Sequence, residues 1–347
     1  MKRLLTRLLT VALLCALPAC TAERPDQSDD PVNVADQVAT ACDVSAADRE
    51  WLERSLGAWH FASRELTDLG VVDDMTMVVF DAECALTSAN AMTGGTAAGA
   101  RYVAAQHGGE VMLPDGETMP PVVTSFTRAD DETAYFVMSL PSVWEAGEVP
   151  PGPLGLTDLM TAVLLHEGSH VAQFPTYGAQ ISELAEREDL PETFNDDSVQ
   201  DRFGEDDAFA TSVARETELF LAAASASDDA EARRLARAGR DAMRVRHARY
   251  FVGDDAYLSE AEDLWLTLEG SGQWAGYVWL VHPEGGGRTE DDAMAGFGQR
   301  SKWWTQNEGH ALALAVDRLD PDWTQVAFGT ADRTLTHMLD EALAKAN

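Results

Sequence analysis

The chain has 347 residues, of which 59 are acidic and 25 are basic, and its formal net charge is -34. This length is enough for one large domain or two modest ones. A chain this acidic repels nucleic acid and anionic lipid head groups, which excludes nucleic acid as a partner but indicates no particular substrate.

The N-terminal residues have the pattern of an export signal. A basic start is followed by an apolar run over residues 8–17. The ending Leu17-Pro18-Ala19-Cys20 resembles the bacterial lipobox, in which the cysteine is lipidated and becomes the first mature residue. The resemblance implies a lipoprotein signal peptide over residues 1–19 and an exported protein anchored to the cell envelope through Cys20, facing the periplasm or the cell surface. A plain secretory signal cut nearby is the alternative, and it also exports the protein.

The region after the signal divides into a tether and one folded domain. Residues 20–40 are rich in Asp, Ser, Pro and Gln, which is the composition of a flexible tether. No later linker is convincing enough to separate two domains. We therefore expect one domain over residues 41–347, with an α/β part over 41–177 and a helical part over 178–347.

The cysteines of this domain are expected to be paired. Cys15 lies in the signal and Cys20 is the predicted lipid site, which leaves Cys42 and Cys84. In an exported protein, two such thiols are expected to form a disulfide. Two buried free thiols are the alternative.

The α/β part should contain one helix and three or four strands before residue 156. Ser45 followed by Asp48 is typical of a helix start, and apolar residues continue at helical spacing up to Leu69. A turn at Asp115-Gly116 predicts a hairpin. The expected strands cover residues 75–81, 110–113, 121–126 and 133–140, and loops are expected over 85–109 and 141–155.

The motif His166-Glu167-Gly168-Ser169-His170 lies within the next predicted helix. Residues four apart share one face of a helix, so His166 and His170 can offer their imidazoles to one metal ion. Glu167 lies beside them, where it can act as the general base toward a water that the metal activates. This spacing predicts a metal-dependent hydrolase.

The helix around the motif should be buried. Glu167 is its only charged residue between positions 159 and 174. Thr157 is a plausible N-cap, and Pro175 should end the helix. A chance match of the motif on an ordinary core helix is the alternative, but a buried helix that carries His, Glu and His together needs a reason such as a metal.

The remainder of the chain is predicted to be mainly helical. Ser259 and Glu262 resemble a capping box at the start of one of these helices. Residues 181–199 are acidic and irregular, and residues 282–291 form a Gly-rich break. The expected helices cover residues 208–225, 230–251, 259–280, 303–319 and 334–346.

A catalytic zinc site usually has three protein ligands, so a third ligand is needed in addition to the two histidines. Glu269 is the best candidate, because it lies in a mostly apolar helix where an unpaired carboxylate is costly. Its surroundings resemble the segment that carries the glutamate ligand of gluzincin metallopeptidases, which reads approximately W-L-x-E-G-x-A. Trp265, Leu266, Glu269 and Gly270 resemble this pattern, with one extra residue before the glutamate and Gly272 in place of the alanine. Glu269 also lies much farther from the second histidine than in many gluzincins.

Other residues compete for the third position. Glu308, in the sequence Asn307-Glu308-Gly309, ranks second. Glu216 ranks third, because it is expected to pair with an arginine of the following helix. Glu183, Glu186 and Glu188 lie closer to the motif, in an acidic stretch that we expect to be solvated.

A side-chain donor for the developing oxyanion is also expected near the metal. Tyr277 lies two turns after Glu269 on the same predicted helix, and His310 is the alternative donor. A packing role is the alternative for each of them.

Together these patterns predict an α+β, zincin-like fold in which a small N-terminal sheet packs on the motif helix and a mainly helical C-terminal half covers the other side of a cleft. We expect a zinc metallopeptidase with one zinc per chain, held by His166, His170 and Glu269, with Glu167 as the general base. Its expected partner is a peptide or protein substrate, which could pair with the edge of the strand around residues 135–140. The alternative is a lipid-anchored envelope binding or scaffold protein with a structural or inactive metal site.

Overall fold

The computed structural model describes residues 9–12, 42–67, 69, 75–88, 102–129, 134–187, 195–298, 302–329 and 333–345. Cys20, the predicted tether and Glu188 lie outside these residues. The described part is a mixed α+β fold with a small sheet and many helices, which confirms the predicted class.

The main sheet combines strands from the α/β part with a segment near the N-terminus. Its strands are β1 (Leu9–Ala12), β2 (Met77–Phe80), β3 (Cys84–Ser88), β4 (Tyr102–Gln106), β7 (Ser125–Ala129) and β8 (Ala134–Ser139). They are arranged in the order β1-β7-β8-β2-β3-β4, and only the pair of β2 and β8 is parallel. The strands β5 (Val111–Met112) and β6 (Thr118–Met119) form a separate hairpin.

The interior position of β8 corrects one prediction. β8 pairs with β7 on one side and with β2 on the other, so it has no free edge for an extended substrate. Its side chains are buried on both faces, with Phe136 and Met138 in one core cluster and Tyr135 and Val137 in another. This two-sided burial explains why its sequence is a nearly continuous apolar run.

The first helix, α1 (Ala46–Glu65), is tied to the sheet by a disulfide. The Ser45 hydroxyl accepts a hydrogen bond from the backbone N–H of Asp48 at 3.0 Å, as the predicted cap requires. Cys42 and Cys84 form the predicted disulfide, and their Cα atoms are 5.9 Å apart. The disulfide holds the segment that precedes α1 against the first residue of β3.

The five helices predicted after the motif helix form close to their predicted positions. The prediction of an irregular stretch over residues 181–199 is partly wrong, because short helices at Ala179–Ala185 and Ser198–Phe203 overlap it. No helix in the described ranges is both long and apolar enough to cross a membrane. The helices are α2 (Pro141–Ala146), α3 (Gly155–Gln173), α4 (Ala179–Ala185), α5 (Ser198–Phe203), α6 (Asp207–Ala224), α7 (Asp229–Tyr250), α8 (Leu258–Val281), α9 (Glu290–Ala293), α10 (Trp304–Leu319), α11 (Thr324–Ala327) and α12 (Leu335–Ala344).

Helix α8 is the centre of the helical part, because it packs against α3 on one side and against α10 on the other. Small residues permit both contacts. A Cβ at Gly276 would lie 2.8 Å from the backbone oxygen of Ala162 in α3. On the other side, a Cβ at Gly270 would lie 2.3 Å from the backbone oxygen of Gly309 in α10, which is too close for any side chain. The two close approaches bring α3, α8 and α10 together around one buried region.

The loop predictions for the α/β part are partly wrong. Residues 85–109 contain most of β3 and all of β4, and residues 141–155 begin with α2. Pro141 is compatible with a helix because it occupies the first turn, where its missing N–H has no intrahelical partner to lose. The strand expected over residues 121–126 does not form as predicted. β6 ends at Met119, before this range, and β7 begins at Ser125, near its end.

The predicted start of the motif helix is wrong, whereas its predicted end is close to the observed one. α3 begins at Gly155, so Thr157 lies inside it and accepts a hydrogen bond from the indole of Trp51 through its backbone oxygen. The α-helix ends at Gln173, two residues before Pro175, as predicted. Pro175 lies in a π-helical turn, Phe174–Gly178, which leads into α4.

The predicted capping box of α8 does not form. α8 begins at Leu258 without a side-chain cap. The Ser259 hydroxyl lies 3.1 Å from Nδ1 of His247, and Glu262 points into the protein. The tertiary partners of these two side chains override their local capping preference.

Candidate metal centre

Helix α3 presents two histidines on one face, inside the protein. His166 and His170 are 0% and 3% exposed, and their Nε2 atoms are 2.9 Å apart. Burial lowers the pKa of His170 to about 3 and holds the pKa of His166 well below its usual range. Both imidazoles are therefore neutral at pH 7, and each can offer a nitrogen lone pair to a cation.

Glu269 reaches this pair from α8. Its Oε2 is 3.5 Å from Nε2 of His166, and its Oε1 is 3.2 Å from Nε2 of His170. Burial and the nearby carboxylate of Asp197 raise the pKa of Glu269 to about 8, an increase that an interaction with Gln306 partly offsets. Among the described residues, neither carboxylate oxygen has a partner with both the distance and the angle of a hydrogen bond.

These three side chains could hold a metal ion. One ligand atom from each, two nitrogens and one oxygen, lies within 4.8 Å of the other two. A buried carboxylate without hydrogen bonds is costly unless a cation compensates it. The predicted ligands His166, His170 and Glu269 are thus brought together from two helices that are distant in sequence.

Glycine at position 272 allows α8 to approach the histidines. A Cβ at Gly272 would lie 3.0 Å from Nδ1 of His166 and 3.0 Å from Cε1 of His170. That separation is tighter than ordinary van der Waals contact, so the rings would have to shift. Glycine at this position therefore has a steric reason in this chain.

Glu167 is held between α3 and β7. It is fully buried, and its Oε1 accepts a hydrogen bond from the Ser125 hydroxyl at 2.7 Å. Its Oε2 accepts one from the Thr127 hydroxyl at 2.8 Å. Burial raises the pKa of Glu167 to about 8, and the two hydroxyl groups oppose that rise. A carboxyl group with such a pKa can take up and release a proton near neutral pH.

The two highest-ranked rivals, Glu308 and Glu216, bind an arginine and do not belong to the candidate metal centre. Arg246 of α7 donates to Glu216 at 2.8 Å, to Glu262 at 2.7 Å and to Glu308 at 3.4 Å. All four side chains are buried. The predicted pairing of Glu216 with an arginine is confirmed, and the same arginine accounts for Glu308.

The two candidate oxyanion donors lie side by side, and their ring centroids are 5.1 Å apart. Burial, followed by the charges of Glu290 and Asp291, raises the pKa of Tyr277 to about 12, so its hydroxyl keeps its proton. Burial lowers the pKa of His310 to about 4, and its Nδ1 lies 3.3 Å from the backbone oxygen of Gly298. A neutral imidazole that donates through Nδ1 has no proton on Nε2. This arrangement favours Tyr277 over His310 as a donor.

Several polar residues near the candidate centre were not predicted from the sequence. Ser125 and Thr127 occupy alternate positions in a strand, so their shared face could have been read from the sequence. Asp196 carried no comparable signal within its acidic segment. It is 7% exposed, and burial and the Glu269 carboxylate hold its pKa well above its usual range. The Thr305 hydroxyl of α10 donates to its backbone oxygen at 2.7 Å, which fixes this segment beside the centre.

Comparisons with protein-family models, with curated proteins and with solved structures find no match to this chain.

Proposed function

We propose that the protein is a zinc-dependent peptidase with a zincin-like fold, similar in its ligand set to the gluzincins. The observation that carries this proposal is the spacing of the three ligand groups. Zinc bonds to histidine nitrogen and carboxylate oxygen are roughly 2.0–2.2 Å long, so the ligand atoms of a tetrahedral site lie about 3.3 Å apart. The Nε2 atoms of the two histidines are 2.9 Å apart, and each lies near that distance from a different oxygen of Glu269, 3.2 Å from Oε1 for His170 and 3.5 Å from Oε2 for His166.

The number of ligands supports a catalytic centre over a structural one. Structural zinc sites have four protein ligands, whereas catalytic sites keep one position open. The described residues supply one cluster of three, namely His166, His170 and Glu269. When bound, zinc supplies Lewis-acid chemistry, which activates water and polarises a carbonyl group.

The protein's own residues would transfer the proton and stabilise the oxyanion. Glu167 accepts the proton of the attacking water and returns it to the leaving amine, as its buried position and raised pKa permit. Tyr277 donates a hydrogen bond to the developing oxyanion. His310 then supports the Tyr277 ring through their contact.

The proposed substrate is an extended peptide that binds at one edge of the sheet. β7 pairs with β8 on one side and with residues Leu9–Ala12 on the other. Those residues belong to the predicted signal peptide, so removal of the signal frees the outer edge of β7. An extended peptide could add to that edge through main-chain hydrogen bonds, next to the residues that hold Glu167.

Zinc content and turnover together test the proposal. Protein purified without added metal should carry one zinc per chain and should cleave an unstructured protein. Glu167→Gln should keep the zinc and lower turnover by at least about 10²-fold. Stoichiometric zinc without turnover on any peptide would support the alternative, an envelope binding or scaffold protein anchored by a lipid at Cys20.

A further inference from the structure

Strand β7 presents two hydroxyl groups to a single carboxylate of the motif helix. Ser125 and Thr127 are two residues apart, so both side chains point to the α3 side of the sheet. The Ser125 hydroxyl donates to Oε1 of Glu167 at 2.7 Å, and the Thr127 hydroxyl donates to Oε2 at 2.8 Å. All three side chains are at most 5% exposed. Each oxygen of the carboxylate therefore has its own donor, and both donors belong to the same strand.

Two donors constrain this carboxylate more than one donor would. The terminal torsion of a glutamate side chain is broad, so a single hydrogen bond leaves the carboxylate plane free to rotate. Bonds to both oxygens fix the plane. A carboxylate oxygen can accept two hydrogen bonds, so each oxygen of Glu167 keeps a lone pair for a water molecule.

We infer that Ser125 and Thr127 are positioning residues that hold the Glu167 carboxylate in the plane from which it acts as the general base. This inference rests on the proposed peptidase function. β7 is also the strand whose outer edge is proposed to bind the peptide. Strand β7 would then position both the Glu167 carboxylate and the scissile peptide bond. A misplacement of about 1 Å between reacting groups can lower a rate by about 10²-fold, so the loss of these hydrogen bonds should lower kcat measurably.

The inference is tested by removing the hydroxyl groups while keeping side-chain shape. The Ser125→Ala/Thr127→Val variant should lower kcat by about 10- to 100-fold, because the base is present but no longer oriented. KM and zinc content should stay at the wild-type values, since neither hydroxyl contacts a ligand. Ser139→Ala is the matched control, because among the described residues this buried hydroxyl of β8 bonds to the backbone of Thr124 and to no part of the candidate site. Ser125→Thr and Thr127→Ser keep a hydroxyl at each position and should recover kcat relative to the double variant.

A double-mutant cycle separates positioning from general support of the fold. In a Glu167→Gln background, loss of both hydroxyls should change the remaining kcat by less than about twofold, because the base is already absent. In the metal-free protein, Thr127→Val should lower the urea midpoint, and this shift should shrink when Glu167 is replaced by Ala. The second measurement does not depend on catalysis. It also applies to the single variant if the double variant does not fold.

The outcomes distinguish this inference from the function on which it rests. If the wild-type protein cleaves peptides and the hydroxyl-free variants match its kcat, the positioning role is refuted while the peptidase stands. Equal losses of kcat in the wild-type and Glu167→Gln backgrounds would assign the two residues a merely structural role. If the zinc-loaded wild-type protein cleaves no peptide, the proposed function fails, and the urea cycle alone then decides whether the hydroxyl groups and Glu167 are coupled.

Discussion

Replacing Arg246 with methionine should destabilise the protein far more than an equivalent change at the surface. Arg246 is 2% exposed, and its guanidinium donates to the buried carboxylates of Glu216, Glu262 and Glu308. Methionine fills similar space but leaves these carboxylates in the protein interior without their cation. Removing one partner of a buried ion pair costs about 3–5 kcal/mol. Since three carboxylates share this partner, we expect the upper part of that range.

Arg244→Met is the matched control for this experiment. Arg244 lies on the same helix, but its side chain is 53% exposed and it pairs with Asp241 and Asp340 near the surface. Exposed pairs contribute about 0.2–1 kcal/mol, so the control should lose no more than that. Urea unfolding of the metal-free proteins at pH 7, followed by circular dichroism, gives both values. The context of a residue can change such values by about 1 kcal/mol. If Arg246→Met therefore lowers the unfolding free energy by no more than about 1 kcal/mol beyond the control, the buried cluster does not stabilise the protein as described.

Three further predictions concern the ligand geometry, the disulfide and the export signal. Gly272→Ala should weaken zinc binding by about 10- to 100-fold in a chelator competition, because the new Cβ would press on both imidazoles. Gly57→Ala, a helical glycine with no atom within 4 Å of the added Cβ, should leave zinc affinity unchanged. Mass spectrometry of non-reduced peptides should find Cys42 linked to Cys84, and reduction should lower the unfolding free energy by about 2–4 kcal/mol; alkylation of both thiols without reduction would reject the bridge. Cys20→Ser should move the mature protein from the membrane fraction to the soluble fraction, and unchanged fractionation would favour a plain secretory signal.

The three candidate metal ligands could be predicted from the sequence because each carries a local signal. His166 and His170 share a helical face because they are four residues apart, and this is true wherever the helix lies in the fold. Glu269 was recognisable because a charged residue interrupts an apolar helix. The strongest helices and the strands β2 and β8 were recognisable for a similar reason, since their apolar patterns are long and continuous.

The parts that the sequence did not reveal depend on tertiary contacts. Glu216, Glu262 and Glu308 look like three separate acidic residues until four helices bring them to Arg246. Ser259 and Glu262 have the spacing of a capping box, but they bond to the side chains of His247 and Arg246 instead. The interior position of β8 follows from strand order, which local periodicity does not encode. The contribution of Ser125 and Thr127 to the candidate site likewise depends on how β7 meets α3.

The zinc content of glutamate variants tests the central claim most directly. After dialysis against a mild chelator, the wild-type protein, Glu308→Ala and Glu216→Ala should each retain close to one zinc per chain, because the last two residues lie in the Arg246 cluster. Glu269→Ala should lose most of its zinc, since its carboxylate lies within 3.5 Å of both histidines. Circular dichroism should show that each variant is folded. Zinc retained by folded Glu269→Ala but lost from folded Glu308→Ala would contradict the metal centre described here.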